Sequence, residues 1–310
     1  MMFVLRSLIV ALGFFGVVYC LLSLLVLCVW RFAYLLCRNS AVSSARILFG
    51  LRIFPLLGSA FATLTLALPA FFLLEGGMDE DMGTLLFGAG TVLLFGAGLF
   101  RVLITQAGVS RQVAEWLEGA RPLDADAVAL TLEAQYGLPP LVLYGVLTPR
   151  VLVSDIAVSL LSPDEMRVAV KHEMEHMRSR DNLKKLILHG APFPGMGSLE
   201  RAWQEAAEFA ADEAAVSNSD DAVDLAAALI KLCDLVPVQD LPAFTTGLVD
   251  MTALVNVRVR RLLAWNEHKG RHARLWLWFA PIFLIALPYA FAHYGQALMI
   301  THRATEWFIH

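Results

Sequence analysis

Residues 7–30 read SLIVALGFFGVVYCLLSLLVLCVW and carry no charge. A helix needs roughly 20 apolar residues to cross a bilayer, so this run alone makes a membrane protein the expected class. The apolar stretch exceeds the hydrophobic region of a signal peptide. Arginines follow it in place of a small neutral cleavage segment, which points to a retained anchor. The rest of the chain has the same character. Of its 310 residues, 58% are hydrophobic and 17% charged, against about 25% charged in a soluble domain. The mean hydropathy is +0.63. Such a composition excludes a disordered chain, a collagen-like fibre and a coiled coil. The net charge of −4 lacks the basic excess that a nucleic-acid partner calls for. Cys20, Cys28, Cys37 and Cys233 form no CxxC pair, so free thiols and no disulfide partner are expected.

Three further runs are long enough to span: Ile53–Leu74, Met82–Phe100 and Leu275–Ala292, the last with Pro281 and Pro288 inside it. The third repeats Leu85-Leu86-Phe87-Gly88-Ala89-Gly90 as Leu93-Leu94-Phe95-Gly96-Ala97-Gly98. Small residues at this spacing let helices approach closely in lipid, and packing within the bundle is favoured over a dimer interface. The first loop holds Arg31, Arg38, Arg46 and Arg52 without an acid, and the second holds Glu75, Asp79, Glu80 and Asp81 without a base. By the positive-inside rule the first loop is cytoplasmic and the second lies outside. Arg101 and Arg111 at one end, and Arg258, Arg260, Arg261, Lys269, Arg271 and Arg274 at the other, then place the long polar segment in the cytoplasm. Both termini lie outside, with Arg6 the one charge against it. Trp276, Trp278 and Tyr294 read as interfacial anchors. The expected organisation is a three-span region over 1–103, a cytoplasmic domain over 104–273, and a fourth span with a short tail over 274–310.

Within the cytoplasmic segment, Ser110–Gly119 reads as a short amphipathic helix, and Ala127–Glu133 and Leu141–Asp155 read as short strands. Ser162-Pro163-Asp164-Glu165 combines an N-cap serine, a proline at the first helical position and a capping-box glutamate. The helix it opens runs to about Arg180. Leu199–Ser217, Asp221–Leu235 and Met251–Trp265 read as further helices. The connector His189–Gly197, rich in proline and glycine, breaks any helix and is apolar enough to lie at the membrane surface.

The capped helix carries His172-Glu173-Met174-Glu175-His176. Histidines four apart project from one face one turn apart, where they grip a single tetrahedral metal. Glu173, directly after the first histidine, stands beside the open position of the metal and suits a general base acting on metal-bound water. Two imidazoles and a carboxylate point to zinc. On a later helix Glu208 and Asp212 share a face at i, i+4 among alanines. Glu208 is the favoured third ligand, with Glu205 and Glu213 as competitors. Asp212 is then an acceptor for a histidine ring N–H. Arg178, Arg180 and Asp181 read as a solvated helix end, and His268, His272 and His293 as interfacial side chains.

The run His172–Asn182, preceded by Leu161–Glu165 and Pro149–Ser154 and followed by Glu208-Phe209-Ala210-Ala211-Asp212, resembles the BlaR/MecR-type antirepressor family of integral-membrane zinc metallopeptidases. Three spans before the metal domain and one after match the same pattern. The resemblance implies a mainly α membrane protein: four transmembrane helices with a cytoplasmic α+β gluzincin-like metallopeptidase domain between the third and fourth. It implies His172, His176 and Glu208 as zinc ligands and Glu173 as catalytic base. Antibiotic-sensing members carry an extracellular penicillin-binding domain after the last span. Residues 294–310 are too few for one, so β-lactam sensing is not expected. The expected activity is zinc-dependent cleavage of a cytoplasmic protein such as a transcriptional repressor, with substrate adding to a strand edge at Leu147–Val153. The alternatives are an HtpX- or CAAX-type quality-control or prenyl-protein peptidase, and a non-catalytic signal transducer that keeps zinc for stability alone.

Overall fold

The computed structural model describes residues 2–37, 40–74, 82–117, 121–122, 129–132, 140–233, 254–265 and 293–309. Three long helical segments lead: α1 (Met2–Cys37); α2 (Ala41–Ala62), continuing through a π-helical turn at Thr63–Ala67 into α3 (Leu68–Leu74); and α4 (Met82–Leu117). Their stretches Leu8–Leu36, Ala41–Leu73 and Gly88–Leu117 are long and apolar enough to cross a membrane. The predicted fourth span and its flanking His268, His272, Trp276 and Trp278 lie outside the described residues, as does the acidic loop at 75–81.

Two boundaries differ from expectation. Much of the arginine-bearing first loop is helical: α1 runs on past Arg31, and α2 already contains Arg46 and Arg52, while Arg38 lies outside the described residues. The third span and the expected amphipathic helix at Ser110–Gly119 are one continuous helix. The sheet explains this second difference. Strands β1 (Arg121–Pro122), β2 (Ala129–Leu132), β3 (Leu141–Tyr144) and β4 (Arg150–Ser154) form a sheet in the order β1-β2-β4-β3. β2 runs parallel to β4, while β3 pairs with it antiparallel, Val142 opposite Leu152. Because strand side chains alternate between faces, Val142 and Leu152 point to one side, where Val109, Val113 and Trp116 of α4 cover them. The last turns of α4 are therefore needed by the sheet. β4 is interior, flanked on both sides, so the expected substrate edge at Leu147–Val153 is not an edge; β3 is.

The other face of the sheet, with Leu141, Leu143, Val151 and Val153, packs on a helical layer. That layer comprises α5 (Asp155–Leu160), α6 (Pro163–Ser179), α7 (Asp181–Gly190), α8 (Gly197–Ala215), α9 (Ser219–Cys233) and α10 (Val255–Leu263). α6 starts where its capping box dictates: the Ser162 hydroxyl accepts from Glu165 N–H at 3.2 Å, and Glu165 accepts from Ser162 N–H at 2.8 Å. It ends at Arg180, whose φ of 56° puts it in the left-handed region. That conformation is costly for a residue with a Cβ. Here it lets α7 start at once and folds Asp181 back beneath α6. Residues 294–309, expected as a tail, form α11 (Tyr294–Ile309), and the Tyr294 hydroxyl donates to Thr65 O in the π turn at 2.7 Å.

The turn between α7 and α8 is where the long helices meet the rest. Arg52 of α2, 1% exposed, donates to Glu200 Oε1 and to Ala191 O, both at 2.7 Å. The Tyr19 hydroxyl of α1 donates to Ala191 O at 3.0 Å. Gly98 of α4 lies so close that a methyl group there would sit 2.7 Å from Gly190 O. Val26, Trp30 and Leu48 then pack against Leu188, Met196, Leu199 and Trp203. The glycine repeat thus splits by role: Gly88 abuts Ile9 and Gly98 abuts the turn, whereas Gly90 and Gly96 have open space.

Gly98→Ala is accordingly expected to destabilise the protein by about 1–3 kcal/mol, the usual cost of overpacking against rigid backbone. Gly96→Ala should be neutral or stabilising, since alanine exceeds glycine in helix propensity by about 1 kcal/mol. Thermal unfolding of the two variants in detergent checks this, and equal shifts would contradict the packing.

Candidate metal centre

α6 sets His172 and His176 one turn apart with their rings nearly perpendicular, at 80°, and their Nε2 atoms 3.2 Å apart. α8 lies against α6 and supplies Glu208, with Oε2 3.6 Å from His172 Nε2 and Oε1 3.4 Å from His176 Nε2. Corners of a tetrahedron with bonds of about 2.0–2.1 Å stand roughly 3.3–3.4 Å apart. The imidazole pair, at 3.2 Å, is close to that spacing, and Glu208 approaches each imidazole with a different one of its two oxygens. One ligand atom from each of the three residues lies within 4.8 Å of the others. All three are buried, and so is Glu173 on the same turn of α6. Of the competing glutamates, Glu205 is half-buried and Glu213 is an exposed partner of Arg261 at 2.8 Å. Glu208 is the glutamate that the fold brings to the imidazoles.

A second layer of carboxylates backs the histidines. Asp212 Oδ1 stands 3.0 Å from His172 Nδ1, and Asp181 Oδ2 stands 2.8 Å from His176 Nδ1. An ionised carboxylate only accepts, so at His176 the bonded Nδ1 carries the proton and Nε2 is left as the donor atom for a metal, and Asp212 stands in the corresponding position behind His172. The expectation for Asp181 needs correction. It is 3% exposed, held between His176 and Lys184 Nζ at 2.7 Å, because the left-handed Arg180 turns the chain back. Arg178 does stay at the surface, paired with Glu175 at 2.8 Å.

Arg258 also needs correction, having been read as a cytoplasmic flanking charge. It is fully buried. Its Nε and Nη2 grip Asp212 at 2.9 and 2.6 Å, Nη1 lies 2.9 Å from Glu208 Oε2, and Nη2 lies 3.3 Å from His172 Nε2. The signal was present in helical phase: Val255, Arg258 and Leu262 share the buried face of α10, and a charge on an apolar stripe is buried only with partners.

The electrostatics follow. Burial opposes the charge on Glu208, but Arg258 and the histidines outweigh it and bring its pKa down to about 2. Burial likewise works against Asp212 and Asp181, yet Arg258 beside the first, and His176 with Lys184 beside the second, hold both below the usual carboxylate range. His172 shows the converse: burial disfavours its cation, and bonding to Asp212 and Glu208 still raises its pKa. Four buried carboxylates (Glu173, Asp181, Glu208 and Asp212) thus face two cations, Lys184 and Arg258. The residues fit a metal ion by donor type and proximity. Beside His176 a cleft of about 280 Å³ runs between Leu147 and Pro149 on one wall and Met177 and Asn182 on the other. No protein-family model and no curated protein matches the sequence.

Glu208→Ala is expected to abolish tight binding of a divalent ion, and Glu205→Ala to leave it intact. Asp181→Asn should weaken it about 10–100-fold, as loss of an outer carboxylate does elsewhere. Metal content after dialysis, with titration of the stripped protein, reads all three.

Proposed function

We propose that this chain is a membrane-anchored zinc endopeptidase of the BlaR/MecR type that cuts a cytoplasmic protein, a transcriptional repressor being the favoured substrate. The observation that carries the reading is the position of Glu173. It is a buried carboxylate on the same turn of α6 as two imidazoles, and Glu208 from α8 supplies a third donor. Three protein donors leave a corner for water and substrate, whereas structural zinc sites usually close with four. Among the described residues the cluster holds three, which favours catalysis over a purely structural metal.

Zinc bound there would polarise the scissile carbonyl and lower the pKa of a bound water to about 7. His172, His176 and Glu208 would hold the ion, with Asp212 and Asp181 behind the imidazoles to keep each Nε2 turned inward. Glu173 accepts the proton of the attacking water as its oxygen bonds to the carbonyl carbon. It then delivers that proton to the amine nitrogen as the C–N bond breaks. The cleft beside His176, lined by Leu147, Pro149, Met177 and Asn182, is the proposed path for the polypeptide. In the proposed topology the metal domain faces the cytoplasm, with Arg31, Arg46, Arg101 and Arg111 on that side, and both termini lie outside.

Glu173→Gln is expected to keep the metal and to lower proteolysis by about 10²–10⁴-fold, the span of general acid–base catalysis. Quantitative proteomics of cells carrying wild type or this variant should show the substrate uncut only with the variant. Equal cleavage in both would refute the role of Glu173.

A further inference from the structure

We propose that Arg258 is a positioning residue of the metal centre, one that holds the ligand Glu208 and the outer carboxylate Asp212 in a single rigid array. The inference rests on the metal-binding reading of the His172–His176–Glu208 cluster. Arg258 comes from α10, a different element from either ligand-bearing helix. Its planar fork meets both oxygens of Asp212, and the remaining terminal nitrogen reaches Glu208. One side chain therefore sets the orientation of a ligand carboxylate on α8 and of the carboxylate four residues on. Asp212 Oδ1 also lies 3.0 Å from His172 Nδ1, so the array reaches an imidazole on α6. A lysine has one nitrogen and no fork and cannot make these contacts together.

The role has a sign that a simple charge does not share. A cation beside a metal site repels the incoming ion. If Arg258 were only a counter-charge for buried acids, its removal would tighten metal binding. If it positions Glu208 and Asp212, its removal leaves both carboxylates free to turn, and binding weakens despite the lost repulsion.

The test uses the full-length protein in detergent, stripped of metal and titrated with zinc alone and then with cobalt(II), whose visible spectrum reports ligand geometry. Arg258→Gln is expected to lower zinc affinity about 10–100-fold, the range for loss of an outer partner, and to shift the cobalt bands. Arg258→Lys should restore less than half of the loss, and Arg261→Gln, at the exposed pair with Glu213, should bind as wild type does. Combined with Asp212→Asn, the Arg258→Gln loss should be little larger than that of either change alone, since both break the same array. Should Arg258→Gln fail to fold, the Arg258→Lys protein carries the test. Unchanged or tighter zinc binding with an unaltered cobalt spectrum, in whichever variant folds, overturns the positioning role and leaves the peptidase reading standing. A wild-type protein that binds no zinc overturns both.

Discussion

For Glu208 to come within 3.6 Å of His172 and 3.4 Å of His176, α6 and α8 must approach closely over their full contact. Alanine permits it. Ala215 on α8 and Ala169 on α6 are buried in one cluster, and a methyl group sets a smaller separation than any larger side chain. Interaxial distance follows the side chains at the contact. Leucine at Ala215 would push apart the two elements that bring these three side chains together. The catalytic reading therefore depends on a packing feature as much as on the ligands themselves.

Close packing carries an electrostatic cost. Carboxylates removed from water are expensive unless each is paired and hydrogen-bonded. The fold meets this with one cation per outer acid: Lys184 from the first turn of α7 for Asp181, and Arg258 from α10 for Asp212. Arg258 reaches the inner Glu208 as well, 2.9 Å from Oε2, and Glu173 lies buried on the same turn as the imidazoles.

Much of this was legible in the sequence, and the exceptions share a cause. Capping chemistry is local, so Ser162 and Glu165 marked the start of α6 correctly. The i, i+4 spacing placed His172 with His176 and Glu208 with Asp212 on common faces. What depends on three-dimensional return was missed. Asp181 follows two arginines and reads as a wet helix end until the left-handed Arg180 folds it under His176. Arg52 and Arg258 count as positive flanks in any tally of charge, yet both are buried and paired with acids more than forty residues away. The helical phase of α10 did contain the warning for Arg258. Arg52 likewise shares the buried face of α2 with Leu48, Pro55 and Ser59, but that phase is hidden in the sequence because Phe54 and Leu57 on the exposed face are apolar as well. The continuity of α4 was hidden for a different reason. Its polar C-terminal turns look like a separate surface helix until the sheet they cover is known.

α8 is a single rigid element with two duties. Its first turns, with Leu199 and Trp203, pack against Val26, Trp30 and Leu48 of the long helices, and Glu200 there holds Arg52 of α2. Its later turns carry Glu208 and Asp212 to the imidazoles. A helix transmits displacement along its axis because its backbone hydrogen bonds resist bending. Any shift of α1, α2 or α4 that moves the α7–α8 turn therefore reaches Glu208 with little loss, and α7 carries the same shift to Asp181 behind His176. The contacts of Tyr19, Arg52 and Gly98 with that one turn tie the position of the membrane-length helices to the spacing of the ligands. This linkage is a physical route by which a change among those helices would reach the candidate metal cluster.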